Sequence, residues 1–354
     1  MKPGRLRLAL FTLLPALLLL AGAELALRAL HFHFQRAVGY MQFAYPSPAE
    51  LQQVFLPDPQ LLWRMKPGFD FGQGYPKLNP HGFRGPAWAR DKTPGTFRIA
   101  CLGDSVTFGR PETDYPSLLQ NLLARRWPNK KIEVLNFGVP GYSSLQGLRL
   151  LQSQVLPLHP DLVVIFFGWN EHWLVQGFSD HEQKVGESPW LLRIRDGISR
   201  LRIYQALNLA LSKLRPAAAR QEKLRVPADL YRANLQAMVR ACREQGAQVI
   251  LATAPAGFGL APLPDFLTAL GFIHANAELV PLHRQYNGIV REVGRGEGAP
   301  VVDLEAVFEQ NDLKNLFDHP DRDIIHPNPK GLDLIAASLT RLILNLPPET
   351  RKEP

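Results

Sequence analysis

Four short segments of the sequence carry polar residues that could act together at one site. The first is Gly103-Asp104-Ser105, a serine in a glycine-flanked turn directly after an apolar run. A serine between a strand and a helix is exposed, and the N–H groups at the start of the helix lie near any negative charge that develops there. This placement suits a nucleophile. A turn that only caps a helix is the alternative, because the tripeptide alone is a weak signal.

The second and third segments offer hydrogen-bond donors. Gly138 follows another apolar run, and it has no side chain to keep a ligand away from its N–H. Asn170 follows a third run and can point its amide N–H at the same place. With the N–H of Ser105, these groups could stabilise an oxyanion. Each segment read alone also fits a plain turn, where glycine and asparagine are common.

The fourth segment could supply a base and the acid that orients it. Asp323 and His326 are three residues apart in a proline-rich loop before the last helical stretch. On a short turn both side chains can face the same way, and the carboxylate then holds the imidazole in the useful tautomer. A surface pair is the alternative. Asp318, His319 and Asp321 lie nearby, but the spacing favours Asp323 and His326.

These residues can meet only if the fold places their segments at the same edge of a sheet. From Thr96 onward, apolar runs rich in Val and Ile alternate with stretches of helical period, which is typical of a buried parallel sheet with crossover helices. Active residues in such a sheet lie beyond the carboxyl ends of the strands. The predicted strands are Phe97–Leu102, Ile132–Phe137, Leu162–Phe167, Gln248–Thr253 and Pro300–Leu304. The predicted helices are Pro116–Trp127, Leu145–Val155, Ala228–Gln245, Leu282–Val293 and Gly331–Leu346.

Residues 172–227 interrupt this alternation and are much longer than a crossover needs. An apolar residue recurs there every three or four positions, which predicts an amphipathic helix through Ile194, Ile198, Leu201, Tyr204, Leu207, Leu211 and Leu214. Nine residues of 191–226 are basic and two are acidic, so this insert holds most of the net charge. A solvated basic face, a lid and a membrane-surface helix all remain open.

The first 31 residues resemble a targeting segment. Three basic residues precede the uncharged run 8–23, which is the secretory pattern, and Ala21-Gly22-Ala23 permits cleavage before Glu24. If the run continues to Leu30 it reaches the length of a membrane anchor. Both readings, an anchor and a cleaved signal, place the rest of the chain outside the cytoplasm, because the positive charges hold the N-terminus inside.

Two further regions complete the predicted organisation. Residues 32–95 are rich in proline, glycine and aromatic residues, and we expect an irregular or β-rich lead-in that packs on the main domain. The main domain then comprises residues 96–354.

The composition narrows the class of protein. Apolar residues make up 46% of the 354 residues and charged residues 20%, which excludes a disordered or fibrous chain. A net charge of +8 permits an anionic membrane or nucleic acid as partner, but no nucleic-acid-binding motif is present. Cys101 and Cys242 are too few for a disulfide scaffold or a four-ligand zinc site, and His159 and His172 lack partners at metal-ligand spacing, so no metal is expected.

In their order and spacing the four segments resemble the SGNH (GDSL) hydrolase family, also described as lipases or acylhydrolases. The resemblance covers roughly residues 97–346. An apolar N-terminal helix and the segment Gly82-Phe83-Arg84-Gly85 are similar to a bacterial subgroup with one N-terminal membrane helix. Asn170 is followed by Glu171, where the family more often has Asp.

The resemblance implies a flavodoxin-like three-layer α/β/α sandwich with a five-stranded parallel sheet. It implies ester hydrolysis through an acyl-serine, without cofactor or metal. Carried over by position, Ser105 is the nucleophile, His326 the base and Asp323 its orienting acid. The oxyanion donors are then the backbone N–H groups of Ser105 and Gly138 and the side chain of Asn170.

We therefore expect an extracytoplasmic serine ester hydrolase that acts on a small ester, an acylated glycan or a lipid ester. It would be held at the membrane by the N-terminal helix, or secreted if that helix is cleaved. The same catalytic residues would also serve an O-acetyltransferase acting on cell-wall or exported polysaccharide. A non-catalytic glycan-binding protein on this fold is a third possibility, because fold alone does not fix function.

Overall fold

The continuous apolar runs of the sequence form β-strands. The structure is a computed structural model and describes residues 3–34, 53–176, 179–183, 190, 194, 197–213, 222–269 and 271–346. Its strands are β1 (Phe55–Asp58), β2 (Leu62–Met65), β3 (Thr96–Gly103), β4 (Lys131–Gly138), β5 (Leu162–Phe166), β6 (Leu174–Gln176), β7 (Glu222–Leu224), β8 (Gln248–Ala252) and β9 (Val301–Val302).

The stretches of helical period form helices that flank these strands. They are α1 (Pro3–Ala29), α2 (Ser105–Phe108), α3 (Tyr115–Arg126), α4 (Ser144–Leu150), α5 (Arg202–Lys213), α6 (Ala228–Glu244), α7 (Phe266–Ala269), α8 (Asn276–Glu297), α9 (Leu304–Glu309) and α10 (Pro329–Asn345). A π-helical turn, Leu151–Val155, continues α4, and short 3₁₀ turns cover Leu156–Leu158 and Leu313–Asn315.

One parallel sheet of five strands carries the main domain in the order β4-β3-β5-β8-β9. Counted within this sheet alone, the order is 2-1-3-4-5, the flavodoxin-like arrangement. Every residue of β3 and β5 is buried, as expected for strands covered on both faces. The predicted α/β fold with a five-stranded parallel sheet is therefore confirmed.

Alternate residues of the central strands pack into two separate cores. Leu102 and Ile165 face one core, which also contains Leu235 of α6 and Val290 of α8. The neighbouring side chains of β3 and β5 face the opposite core, which contains residues of α3 and α10. The sheet thus lies between two helical layers, and the carboxyl ends of its strands meet at one edge.

The last strand and the following helix differ from expectation. The predicted strand Pro300–Leu304 contains only the two residues of β9, because the side chain of Asp303 caps a new helix by accepting a hydrogen bond from the N–H of Ala306. Helix α8 extends beyond the predicted Leu282–Val293 at both ends. It ends where Gly298 adopts a positive φ of 61°.

The lead-in packs on the main domain through buried side chains and direct hydrogen bonds. β1 and β2 form an antiparallel hairpin, and Trp63 and Phe83 are buried in the core. The hydroxyl of Tyr142 donates to the carbonyl oxygen of Trp63 at 2.6 Å. The side-chain amide of Gln146 donates to the carbonyl oxygen of Leu61 at 2.8 Å.

The insert is not the single amphipathic helix that the spacing predicts. Residues 197–199 are helical, but Arg200 and Leu201 form a turn, and α5 starts at Arg202. The new start is capped from another helix, since Oε2 of Glu24 in α1 accepts a hydrogen bond from the N–H of Ile203 at 3.0 Å. Leu214, the last residue of the predicted pattern, lies outside the described residues.

Helix α1 contains most of the apolar N-terminal run. Leucines 17–20 are exposed along it. Within the described residues, no helix meets the combined requirements of length and apolarity for crossing a membrane. The expected N-terminal membrane anchor is therefore not supported.

Candidate active site

Ser105, His326 and Asp323 form a chain of hydrogen bonds at the carboxyl edge of the sheet. The Oγ atom of Ser105 lies 2.7 Å from Nε2 of His326. On the other side of the imidazole, Nδ1 lies 2.9 Å from Oδ2 of Asp323. Ser105 begins α2 directly after β3, whereas the other two residues lie in the loop before α10. The fold thus brings together three predicted site residues from distant parts of the chain.

The surroundings of the imidazole shift both pKa values of the His326–Asp323 pair. Burial would lower the pKa of His326, but the hydrogen bond and negative charge of Asp323 outweigh burial and raise it above its ordinary value. Burial would raise the pKa of Asp323, but hydrogen bonds and charge from His326, with the N–H of Ile325, lower it. An ionised carboxylate beside a more basic imidazole suits a group that accepts a proton from serine.

The turn that carries Ser105 is fixed by the two residues before it. Oδ1 of Asp104 accepts a hydrogen bond from the N–H of Val106 at 2.9 Å and so caps α2. Gly103 leaves no space for a side chain, since a Cβ there would lie 2.0 Å from Oγ1 of Thr107. The serine is therefore held at the end of the strand, facing the loop of His326.

Gly138 does not direct its N–H into the site. That N–H donates to Oδ1 of Asn136 at 2.8 Å. A Cβ at Gly138 would lie 2.1 Å from the backbone nitrogen of Phe108, so the glycine allows α2 to pack directly on the end of β4. The prediction of Gly138 as an oxyanion donor is therefore wrong, because its N–H is already used and its space is filled by backbone.

Gly141, which the sequence did not single out, presents a backbone N–H beside Ser105. The N–H of Tyr142 donates to the carbonyl oxygen of Val139 at 3.1 Å, and Gly141 has a φ of 79° at the third position of this turn. With Pro140 at the second position, this is the pattern of a type II turn. In the described part of the chain the Gly141 N–H has no acceptor, and Gly141 lines the cavity beside Ser105. The Pro-Gly dipeptide is the sequence signal that points to it.

Asn170 lines the same cavity, where two acceptors hold its side chain. Nδ2 donates to Oδ2 of Asp104 at 3.1 Å and to the carbonyl oxygen of Tyr142 at 3.0 Å. Burial raises the pKa of Asp104 to about 6. Because both amide hydrogens have acceptors, stabilising an oxyanion requires one of them to turn toward the substrate.

Glu171, the departure from the family pattern, points into the protein interior. It is fully buried, and its Oε1 accepts a hydrogen bond from the N–H of Ser144 at 2.6 Å. Its Oε2 has no partner among the described residues. Burial raises the pKa of Glu171 to about 8, so the carboxyl group is protonated at neutral pH.

An aromatic cavity of about 310 Å³ opens on one side of Ser105. Its walls are mostly apolar and include Trp169, Trp173, Phe266, Leu267, Phe272 and Ile325, with Gly141 and Asn170 beside the serine. Trp169 is fixed in place, since its indole N–H donates to the carbonyl oxygen of Pro255 and its ring stacks on His283 at 4.1 Å between centroids.

A second cavity of about 530 Å³, the lead-in cleft, opens on the other side of Ser105. Phe71, Gln73 and Tyr75 of the lead-in form one wall, and Phe108 and Arg110 also line the cleft. His326 and Asp323 line both cavities, whereas Gly141 and Asn170 line only the aromatic cavity.

Two buried histidines outside the hydrogen-bonded chain support the aromatic cavity. His172 and His283 are fully buried, and Nε2 of the first lies 3.1 Å from Nδ1 of the second. Burial lowers the pKa of both, that of His283 to about 4, so the pair is neutral and supports the wall at Trp169. Among the described residues, no three His, Cys, Asp or Glu side chains are grouped to hold a metal ion.

A family model described as the GDSL-like Lipase/Acylhydrolase family matches residues 101–334, about two thirds of the chain. The matched range contains every residue of the hydrogen-bonded chain and of the aromatic cavity. A search of curated protein sequences gives no match.

Several solved structures are similar to the chain. A lipase/acylhydrolase from Enterococcus faecalis is 23% identical, with a TM-score of 0.44, and the alignment covers 70% of this chain and 94% of that one. An acetyl xylan esterase, AlAXEase, is 20% identical, with a TM-score of 0.45 and coverage of 70% and 99%. Axe2, an acetylxylan esterase from Geobacillus stearothermophilus, is 18% identical, with a TM-score of 0.43 and coverage of 70% and 93%.

Proposed function

The chain belongs to the GDSL-like lipase/acylhydrolase family and is a carboxylic ester hydrolase, and from this premise we propose that Ser105 carries the reaction through an acyl-serine intermediate. The observation that carries the proposal is the unbroken chain of hydrogen bonds from Ser105 Oγ through His326 to Asp323. A serine hydroxyl is a weak nucleophile until an adjacent base takes its proton, and this arrangement supplies that base.

The proposed reaction has two halves that use the same residues. Ser105 Oγ attacks the ester carbonyl carbon while its proton passes to Nε2 of His326, and Asp323 stabilises the charged imidazole. The bond to the alcohol oxygen then breaks, and His326 returns the proton to that oxygen. In the second half His326 takes a proton from water while the water oxygen attacks the acyl carbon. The bond between that carbon and Ser105 Oγ then breaks, and His326 returns the proton to Oγ, which frees the carboxylic acid and the serine hydroxyl.

The negative charge of each tetrahedral intermediate needs donors beside Ser105. We assign this role to the backbone N–H groups of Ser105 and Gly141 and to the side chain of Asn170. Gly141 replaces Gly138 because its N–H has no acceptor among the described residues and Gly141 lines the aromatic cavity, whereas the N–H of Gly138 already donates to Asn136. Preorganised donors of this kind stabilise a developing oxyanion more strongly than water does, because they need no reorganisation.

The test of this function is turnover of 4-nitrophenyl acetate by the full chain in mild detergent. We expect the wild type to release nitrophenol, and Ser105→Ala to lower kcat/KM by at least about 10⁴-fold. The matched control is Ser153→Ala, which changes an exposed serine outside the site and should retain full activity. Equal rates for the wild type and Ser105→Ala would contradict the proposal.

We also propose that the chain works outside the cytoplasm. The support is the sequence of the first thirty residues, a basic start followed by an uncharged apolar run. Protease added to intact spheroplasts should degrade the domain while a cytoplasmic marker survives. Protection of the domain until the cells are lysed would contradict the location.

A further inference from the structure

We propose that the lead-in cleft is the subsite for the alcohol part of the ester and that it binds a sugar ring. The inference rests on the proposed function, since it takes Ser105 as the nucleophile. The wall of the cleft formed by Phe71, Gln73 and Tyr75 lies outside residues 101–334, the range that the family model matches. The wall beside the reacting serine therefore comes from a segment outside the family match.

The positions of the donors decide which cavity receives which half of the substrate. Gly141 and Asn170 line only the aromatic cavity, so the carbonyl oxygen of a bound ester points to that side. The walls of the aromatic cavity are mostly apolar and suit the acyl group. His326 lines both cavities, and a leaving alcohol in the lead-in cleft remains within its reach for proton return.

The cleft presents an aromatic ring that is held in place by other rings. Tyr75 is partly exposed, and its ring centroid lies 5.7 Å from that of Phe71 and 5.8 Å from that of Phe108. Phe71 and Phe108 also contact each other, at 5.4 Å. Such packing fixes the orientation of the tyrosine ring. The tyrosine has a flat apolar face and a hydroxyl at its edge, and this suits a sugar ring, which also has an apolar face and polar edges.

Polar side chains of the cleft can form hydrogen bonds with the hydroxyl groups of a sugar. Gln73 is exposed and offers both a donor and an acceptor. Nη2 of Arg110 lies 3.2 Å from Oδ2 of Asp318, and this partly exposed pair is neutral as a unit. A neutral pair of donor and acceptor suits hydroxyl groups, whereas a phosphate would have to compete with the carboxylate of Asp318. The chemistry therefore favours a sugar over an anionic headgroup.

The backbone of the lead-in wall is strained where it faces the cleft. Gln73 has a φ of 52°, which is unusual for a residue with a side chain, and it lies between Gly72 and Gly74, whose φ values are 63° and 84°. The N–H of Tyr75 donates to the carbonyl oxygen of Gly72 at 3.0 Å, which closes the turn. Strain that persists in a hydrogen-bonded turn is typical of functional sites, and here it aligns Gln73 and Tyr75 with the cleft.

The experiment compares two acetate esters that differ only in the alcohol: vinyl acetate and methyl 6-O-acetyl-glucoside. We measure kcat/KM for both with the full chain and follow their ratio. Tyr75→Ala should lower the ratio of the sugar ester to the vinyl ester about tenfold, mainly through the KM for the sugar ester. Tyr75→Phe keeps the ring and should retain most of the ratio. Tyr204→Ala, a tyrosine of α5 outside both cavities, should leave the ratio unchanged.

Binding is measured separately in the inert Ser105→Ala variant, using saturation-transfer NMR with methyl glucoside. A transfer signal that Tyr75→Ala removes and Tyr204→Ala retains supports the subsite. An unchanged ratio in Tyr75→Ala, or no transfer signal at all, overturns the subsite while leaving the hydrolase intact. Failure of the wild type to hydrolyse either ester would instead contradict the proposed function.

Discussion

The two sides of the reacting serine use different kinds of chemical group. On the triad side, Ser105, His326 and Asp323 are joined side chain to side chain by hydrogen bonds of 2.7 and 2.9 Å. On the oxyanion side, Gly141 offers a backbone N–H from a turn, and Asn170 is held by Asp104 and a carbonyl oxygen. The triad side thus depends on side-chain identity, and the oxyanion side depends on a backbone N–H of a turn and on an amide that must turn toward the substrate.

Among the substitutions that affect one side only, loss of the Asp323 carboxylate on the triad side should lower the rate most. Asp323→Asn should lower kcat about 10⁴-fold, because the amide favours the wrong imidazole tautomer. The carboxylate also raises the pKa of His326, and activity needs the neutral imidazole. The acid limb of the kcat/KM profile should therefore shift to lower pH in the variant, as measured on 4-nitrophenyl acetate.

A nearby aspartate serves as the control for that change. Asp321 lies two residues before Asp323 and is exposed, so Asp321→Asn should leave both the rate and the pH profile unchanged. If Asp321→Asn were the more damaging change, the assignment of the orienting acid would be wrong.

Removing the amide of the oxyanion side should have a smaller effect than losing the triad. Asn170→Ala is expected to lower kcat about 10²–10³-fold with little change in KM, because the donor acts mainly on the transition state. Asn311→Ala removes an exposed asparagine amide elsewhere and should retain the wild-type rate. A rise in KM at unchanged kcat would assign Asn170 to substrate binding instead.

Asp104 connects the two sides, and its charge should affect both. Its Oδ2 holds Asn170, and its negative charge contributes to the raised pKa of His326. Asp104→Asn should therefore lower kcat/KM about tenfold and move the acid limb to lower pH. Measuring the full pH profile separates this from a purely structural loss, which would lower the rate without moving the limb.

The change with the smallest expected effect on the rate should appear in stability instead. The pKa of Glu171 is about 8 in the folded protein and near 4.5 when unfolded, so the unfolded chain loses its proton first as pH rises. Stability should fall between those values by up to about 1.4 kcal/mol per pH unit. Glu171→Gln should remove this contribution, which urea unfolding from pH 5 to 8 will measure. Glu309→Gln, at an exposed site, should follow the wild type.

The sheet was predictable because its strands are buried on both faces. Such strands are continuous apolar runs, and β3, β4, β5 and β8 begin and end within one residue of the predicted positions. The short β9 was harder, because Asp303 belongs by its residue type to a strand end or a helix cap, and only the packed structure decides between them. The break before α5 depends on Glu24, which is far away in sequence.

The candidate site was predictable only where side chains define it. Ser105, Asn170, Asp323 and His326 are recognisable by residue type and order, and the structure places all four at one edge of the sheet. The backbone N–H of Gly141 could not be chosen over that of Gly138 from the sequence. The choice depends on the side chain of Asn136, whose Oδ1 accepts a hydrogen bond from the N–H of Gly138. The lead-in cleft was also not predictable, because its wall comes from a segment without periodic pattern.

The most direct test of the account is covalent labelling of the full chain with a fluorophosphonate ester, followed by peptide mass spectrometry. The account predicts one phosphonyl group per chain, on Ser105, and a strongly slowed reaction in His326→Ala because the hydroxyl then lacks its base. A label on another residue, or hydrolysis of 4-nitrophenyl acetate that continues after Ser105 is fully labelled, would contradict Ser105 as the nucleophile.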